Sequence, residues 1–242
     1  MVLKASSATK PAKEKPMQNK MLPRFEMESA PSPTAAVILL HGLGANGHDF
    51  AALVPEMNLK GCQAIRFIFP HAPSIPVTVN AGYQMPAWYD ITGTDLITGQ
   101  DAAGIQRSEL QILGLIAHEM QRGIASENLV LAGFSQGAAM ALHTALRVPF
   151  ALAGIMALSG YLPLADRLHL ERSPANNVTP IFMAHGLQDT VVIPRRGEEA
   201  RDALLALSYP VQWHSYETEH NVTSEEVEDM GAFLRQVLPA TA

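Results

Sequence analysis

The stretch LVLAGFSQGAAM, from Leu129 to Met140, constrains the fold more tightly than any other part of the sequence. Leu129 to Phe134 is an uncharged apolar run of buried-strand length, and Gln136 to Arg147 continues through Ala138, Ala139, Met140 and Leu142 as a helix. Between them lies GFSQG, a G-x-S-x-G pattern centred on Ser135. A strand that passes straight into a helix presses its backbone against its neighbours. Gly133 and Gly137 supply positions without a Cβ, while the backbone of the serine is strained and its hydroxyl is thrust outward. The first helical turn then leaves free N–H groups beside that hydroxyl. The five-residue pattern is common by itself; the strand before it and the helix after it make it specific to an exposed nucleophilic serine.

A chain of 242 residues, 48% hydrophobic and 17% charged, is long enough for one large α/β domain with a full core over residues 21 to 242. Residues 1–20 hold five lysines against Glu14, so the net charge of −6 becomes −10 over the remainder. The folded part is therefore acidic, which argues against nucleic acid as a partner. The basic segment lacks hydrophobic periodicity and is expected to be a flexible tail. It has no apolar core like that of a signal peptide, and no later stretch approaches the eighteen or so apolar residues of a membrane span. No stable membrane insertion is expected. Cys62 is the only cysteine, so no internal disulfide forms and a reducing compartment is the simplest expectation.

Along the chain, Leu22 to Ser29 reads as an edge strand and Thr34 to Leu40 as a buried parallel strand. The latter feeds HGLGANGHDF, His41 to Phe50, where Gly42 and Gly44 flank Leu43 and leave its backbone N–H approachable. His41 and His48 lie in this loop without a cysteine or carboxylate cluster, so His41 reads as structural and no metal site is expected. Cys62 to Phe69 reads as the next strand. His71 to Gln100 is a long irregular segment whose Tyr83, Met85, Trp88, Tyr89, Ile91 and Leu96 suggest a packed flap. Asp101 to Arg122 is a helix with a stripe of Ile105, Ile112, Leu113, Ile116 and Met120. Gly154 to Ser159 and Pro180 to His185 are buried strands, Arg195 to Ser208 a helix, and Val211 to Glu217 the last strand. A final helix starts near Thr223, which forms a capping box with Glu226. Apolar strands alternating with helices give a mainly parallel sheet covered on both faces, with ligands bound beyond the carboxyl ends of the strands.

Leu43, Ser135, Asp189 and His220 all follow predicted strands. Ser135 needs a base, and the base an orienting acid. Of the nine histidines, His214 and His220 alone follow Asp189 in sequence, and His220 is preferred because it lies in a loop past a strand end. Asp189, in the turn GLQD, is preferred to Asp166 and Asp202. The backbone N–H groups of Leu43 and Gln136 are the candidate oxyanion donors. Met85 and Trp88 from the flap, with Leu187 beside the acid turn, are the candidate pocket residues.

HGLGANGHDF, PHAP, MPAWYD, GFSQGAAMAL, LSGYLP and HGLQDTVV, in this order, resemble the carboxylesterase and acyl-protein thioesterase family of α/β-hydrolases, from about residue 21 to 242. By position, the resemblance implies a Ser135–Asp189–His220 triad and oxyanion donors at Leu43 and Gln136. It also implies an α/β-hydrolase fold without a separate cap domain, no cofactor, a cytoplasmic location and, as often in the family, a homodimer. MPAWYD resembles the version in bacterial esterases. The chain departs from the family pattern at Thr218-Glu219, where Met-Gly is common, and at Asp189-Thr190, where Asp-Pro is common. The expected activity is hydrolysis of carboxylic esters of short to medium acyl chain. Thioesters of acylated proteins and lysophospholipids come second, and a hydrolase-shaped binding protein with little turnover is the reading from another class.

Overall fold

The computed structural model describes residues 21–240. The basic segment 1–20, expected to be a tail, lies outside the described residues. In chain order come strands β1 (Arg24–Glu28), β2 (Ala35–Leu40), β3 (Ile65–Pro70), β4 (Ser74–Val77) and β5 (Tyr83–Pro86), then helix α1 (Ala102–Gln121). They are followed by β6 (Leu129–Phe134), α2 (Gln136–Ala145), β7 (Gly154–Leu158), α3 (Ala165–Glu171), β8 (Ile181–Gly186), α4 (Pro194–Ala206), β9 (Val211–Tyr216) and α5 (Ser224–Val237).

Seven strands form one sheet in the order β1-β3-β2-β6-β7-β8-β9. All pairings are parallel except that of edge strand β1 with β3. β2 shows why the strands read as continuous apolar runs. Ala36, Ile38 and Leu40 enter one core with α1, α2 and α4, whereas Ala35, Val37 and Leu39 enter a second core with α5. Burying each of these larger side chains contributes about 1.5–3 kcal/mol, so both faces of the sheet are committed. Helix α5 lies so close to the short turn Ala51–Glu56 that a Cβ at Gly231 would overlap the Met57 carbonyl. No helix among the described residues is long and apolar enough to cross a membrane.

Four local expectations differ from the structure. The third strand begins at Ile65, not Cys62; Cys62 instead bridges to Pro239, and the Gln63 amide donates to Leu238, so these residues serve the C-terminal segment. The flap is not wholly irregular, because β4 and β5 pair as a hairpin with Ile75 opposite Met85 and Val77 opposite Tyr83. A two-stranded ribbon has free edges, and these tolerate Pro76 and Pro86. On α1, Met120 is exposed, and the buried face runs instead through Ile105, Ser108, Ile112, Leu115 and Glu119. The Glu119 carboxylate can be buried there because Arg66 and Arg122 both donate to it.

The capping box at α5 is half formed. The Thr223 hydroxyl accepts from the Glu226 amide at 3.1 Å, yet neither carboxyl oxygen of Glu226 finds a hydrogen-bond partner among the described residues. Burial, reinforced by the nearby Asp229 charge, pushes the Glu226 carboxyl up to about 8 from an ordinary 4.5. Its favourable contribution is therefore fully present below about pH 4.5 and is lost as pH rises through about 8. Glu226→Gln, which cannot ionise, should match the parent protein in stability near pH 4 and exceed it by roughly a few kcal/mol at pH 9. Urea denaturation at the two pH values tests this; an equal difference at both would refute it.

Candidate active site

Ser135 occupies the first position after β6, with φ 55° and ψ −119°. Its amide is held by the Leu158 carbonyl at 2.8 Å, which ties the turn to the end of β7. A non-glycine residue at positive φ costs on the order of 1–3 kcal/mol, and here close packing imposes it. A Cβ at Gly133 would overlap the Gly137 carbonyl, and one at Gly137 would overlap the Leu40 carbonyl. The two glycines thus bring the start of α2 against both its own strand and β2. The Ser135 side chain emerges beside the loop that follows β2, 3.3 Å from where a Cβ on Gly42 would lie.

That loop is held by His41. Its Nε2 accepts from the Ala72 amide at 3.0 Å, so Nδ1 carries the proton and donates to the Gly42 carbonyl at 2.7 Å. Burial lowers the His41 pKa and keeps the ring neutral. Gly44 takes φ +74° and donates to the Pro86 carbonyl at 2.8 Å. Between these anchored residues, the Leu43 amide donates to no group within the described residues, and neither does the Gln136 amide at the start of α2. The Gln136 side chain is fully engaged: Oε1 accepts from the Trp88 amide at 2.9 Å, and Nε2 donates to the Tyr89 carbonyl at 2.8 Å.

Asp189 leaves the end of β8 and is buried. Its Oδ1 accepts from the Val191 and Val192 amides, at 2.8 and 2.9 Å. Its Oδ2 meets His220 Nδ1 at 2.6 Å. Burial alone would raise the Asp189 pKa; the hydrogen bond from His220 and those from the two amides outweigh it and hold the carboxyl below its ordinary range. The buried His185, four residues earlier, donates from Nε2 to the Val192 carbonyl at 2.7 Å and lies 3.5 Å from Asp189 Oδ2. It thereby closes the turn that presents the acid. The His220 ring packs against Phe134 with centroids 4.7 Å apart. Glu219, the added charge beside it, points to solvent. His214 sits inside β9 and pairs with Asp229 at 3.4 Å, away from Asp189.

No hydrogen bond joins Ser135 to His220, although both line one cavity; free enzymes commonly show such looser geometry. That cavity, about 420 Å³, is bounded by Gly42, Asp49, Phe50, Leu53, Phe134, Ser135, His220 and Val222. A second cavity of about 390 Å³ also borders Ser135 and is bounded by Val79, Ile91, Leu96, Gln136, Tyr161 and Val192, without His220. Leu43, Ser135 and Val191 border both.

None of the three expected pocket residues lines either cavity. Trp88 is buried beneath the flap, with Nε1 donating to the His41 carbonyl. Met85 sits on the hairpin, where its sulfur accepts from Asn80. Leu187 is 48% exposed, and its amide donates to the Tyr216 carbonyl at the end of β9. Sequence reasoning had grouped Ile91 and Leu96 with the flap's apolar residues but did not single out Tyr161, Val191 or His185. Their only signals were the motifs LSGYLP and HGLQDTVV. Among the described residues, no group of three histidine, cysteine or acidic side chains is placed to hold a metal ion.

Residues 25–238 match the phospholipase/carboxylesterase family. Acyl-protein thioesterase 1 of Gibberella zeae is 40% identical over 220 residues, covering 87% of this chain and 94% of that protein. Among solved structures, SOBER1 of Arabidopsis thaliana superposes with a TM-score of 0.79 at 26% identity, over 84% of this chain and 99% of that one. Acyl-protein thioesterase 2 of Zea mays gives 0.76 at 29% identity, over 88% and 99%. By sequence match and by its mainly parallel sheet, the chain belongs to the phospholipase/carboxylesterase family of serine hydrolases and has the α/β-hydrolase fold.

Proposed function

We propose that this protein is a serine thioesterase that removes acyl groups from S-acylated proteins and also cleaves oxygen esters. The ranking from sequence, which put short and medium soluble esters first, is thereby reversed. The relatives named as acyl-protein thioesterases support the new order. The observation that carries the reading is that Ser135 borders two cavities, one of which is also lined by His220 and the other is not.

In this reading Ser135 Oγ attacks the thioester carbonyl while His220 Nε2 takes its proton. The 2.6 Å bond to Asp189 keeps the His220 proton on Nδ1 and leaves Nε2 free to accept. Negative charge on the carbonyl oxygen falls to the Leu43 and Gln136 amides, an assignment supported by their donating to no other group among the described residues. The tetrahedral intermediate collapses, the C–S bond breaks, and His220 returns the proton to the departing thiolate. Water, deprotonated by His220, then hydrolyses the acyl-serine. Because His220 must reach the leaving group, the cavity it lines takes the protein or alcohol side, and the second cavity takes the acyl chain. At about 390 Å³ the second cavity falls within the 300–1,000 Å³ range of small-ligand sites and far exceeds the needs of an acetyl group. The same reading extends to the cytoplasmic location and homodimer that the resemblance implies.

Steady-state hydrolysis of an S-palmitoylated cysteine peptide and of p-nitrophenyl butyrate, each with Ser135→Ala as the blank, tests the reading. Both rates should fall by at least about a thousandfold in Ser135→Ala, with the thioester preferred by kcat/KM. A tenfold or greater preference for the short oxygen ester would restore the soluble-esterase reading. The absence of any Ser135-dependent rate would leave a hydrolase-shaped binding protein.

The meeting of acid and base also depends on Gly186, since a Cβ there would overlap the Thr218 and Glu219 carbonyls just before His220. Gly186→Ala should push the histidine loop away from Asp189 and lower kcat/KM by roughly a hundredfold while the protein remains folded, as a misplacement of about 1 Å predicts. Unchanged kinetics in a folded Gly186→Ala protein would separate the loop's position from turnover.

A further inference from the structure

The two cavities that meet at Ser135 differ in charge. No charged side chain borders the second, so nothing there opposes a neutral acyl chain. The first, which His220 also lines, is bordered by one carboxylate, Asp49, and by no lysine or arginine among the described residues.

Asp49 is held in place without being neutralised. Its Oδ2 accepts from the Asn46 amide and its Oδ1 from Asn46 Nδ2, each at 3.1 Å, while its own amide donates to the Asn46 carbonyl at 3.2 Å. Asn46 Oδ1 in turn accepts from the His48 amide at 2.9 Å, so the turn that presents the carboxylate is closed on itself. Both partners of the carboxylate are uncharged. Elsewhere Glu26, Glu28, Glu119, Glu171, Glu199 and Asp202 each meet an arginine. A carboxylate offers about four acceptor sites, so two bonds leave Asp49 able to take an ammonium or a guanidinium. Because the group is already ordered, a cation that binds it gives up little of the protein's freedom.

The walls beside Asp49 are apolar. Phe50 and Leu53 follow it in the chain, and Phe134 and Val222 complete the lining. Lysine and arginine carry a charged head on an aliphatic stem that packs well along such a wall. The negative charge of the folded part, −10 over residues 21–242, favours the approach of a cationic partner from solution.

We propose that Asp49 makes this enzyme select acyl-cysteines that have a lysine or arginine one or two positions away: the stem lies along Phe50 and Leu53, and the cationic head meets the Asp49 carboxylate. The inference rests on the assignment of the His220-lined cavity to the leaving group. A residue one or two positions from the cysteine begins about 3.5–7 Å from it along an extended chain, and its stem supplies the remaining reach. A glutamate at the same place is repelled.

The test is kcat/KM on three S-octanoyl-cysteine peptides that differ only in the two residues flanking the cysteine, which are lysine, glutamine or glutamate. Each enzyme is judged by its own lysine-to-glutamate ratio, so a general loss of activity cancels. An exposed pair is worth up to about fivefold, and attraction of one peptide acts together with repulsion of the other. The parent ratio should therefore be roughly five- to twentyfold at about 10 mM salt and fall below about twofold at about 0.5 M, where charges are screened. Asp49→Asn should lose most of the ratio at low salt, and Asp49→Lys should invert it. A parent ratio near one, with Ser135-dependent turnover intact, would overturn the proposal and leave the thioesterase reading standing. A ratio that salt abolishes but Asp49→Asn preserves would assign the preference to the overall charge and also overturn it. A parent protein with no Ser135-dependent rate on any thioester or ester would remove the functional reading itself, and the proposal with it.

Discussion

The structure depends on backbones approaching one another where β6 turns into α2. At Gly133 and Gly137 the chain leaves no room for even one carbon atom beyond Cα, and that contact drives the intervening serine to positive φ. The cost of that conformation is met by the apolar strands on either side, buried on both faces. From this contact follow the outward serine, the unbonded helix-start amide beside it and the closeness of the loop after β2. The proposed nucleophile and both proposed oxyanion donors are thus properties of one tight junction between β2, β6 and α2.

The acid and base are positioned by another kind of contact. Asp189 is fixed by two amides of its own turn, by His220 and, through Val192, by His185. His220 lies on a loop that reaches β8 only because Gly186 presents no side chain to it. The departures at Thr218-Glu219 and Asp189-Thr190 leave this pairing in place, because the carbonyls of Thr218 and Glu219 make the approach and the Glu219 side chain turns to solvent.

The parallel sheet was legible in the sequence because its strands are buried on both faces and read as unbroken apolar runs. Ser135 and Asp189 stood out as candidates because each follows such a run at a glycine turn, and His220 because it lies in the loop past β9, a partly buried edge strand whose VQWHSY is not an apolar run. The cavities were not legible. Trp88 and Met85 looked like pocket residues from composition, but whether a side chain in a long segment faces a void or a core is decided by tertiary hydrogen bonds such as that from Trp88 to His41. The β4–β5 hairpin was hidden by its prolines, and the exposed Met120 by a helical stripe displaced by about one position. Glu119 and Glu226 are carboxylates where a hydrophobic pattern expects none. Arg66 and Arg122 account for the first, and the second remains a buried acid without a partner.

The Gln136 side chain, whose amide group bonds to both Trp88 and Tyr89, has a consequence for motion. It fastens the middle of the 71–100 segment to the same residue whose backbone amide is a proposed oxyanion donor. The segment therefore cannot lift away as one flap without breaking two buried hydrogen bonds at the heart of the site. Movement is left to its two free ends, the hairpin tip around residues 78–82 and the loop around 93–99. Val79 from the first and Leu96 from the second both border the second cavity. Parting of these two small loops would widen that cavity over a fixed floor, fast on the scale of loop motion, while the residues anchored by Gln136 beneath stay undisturbed.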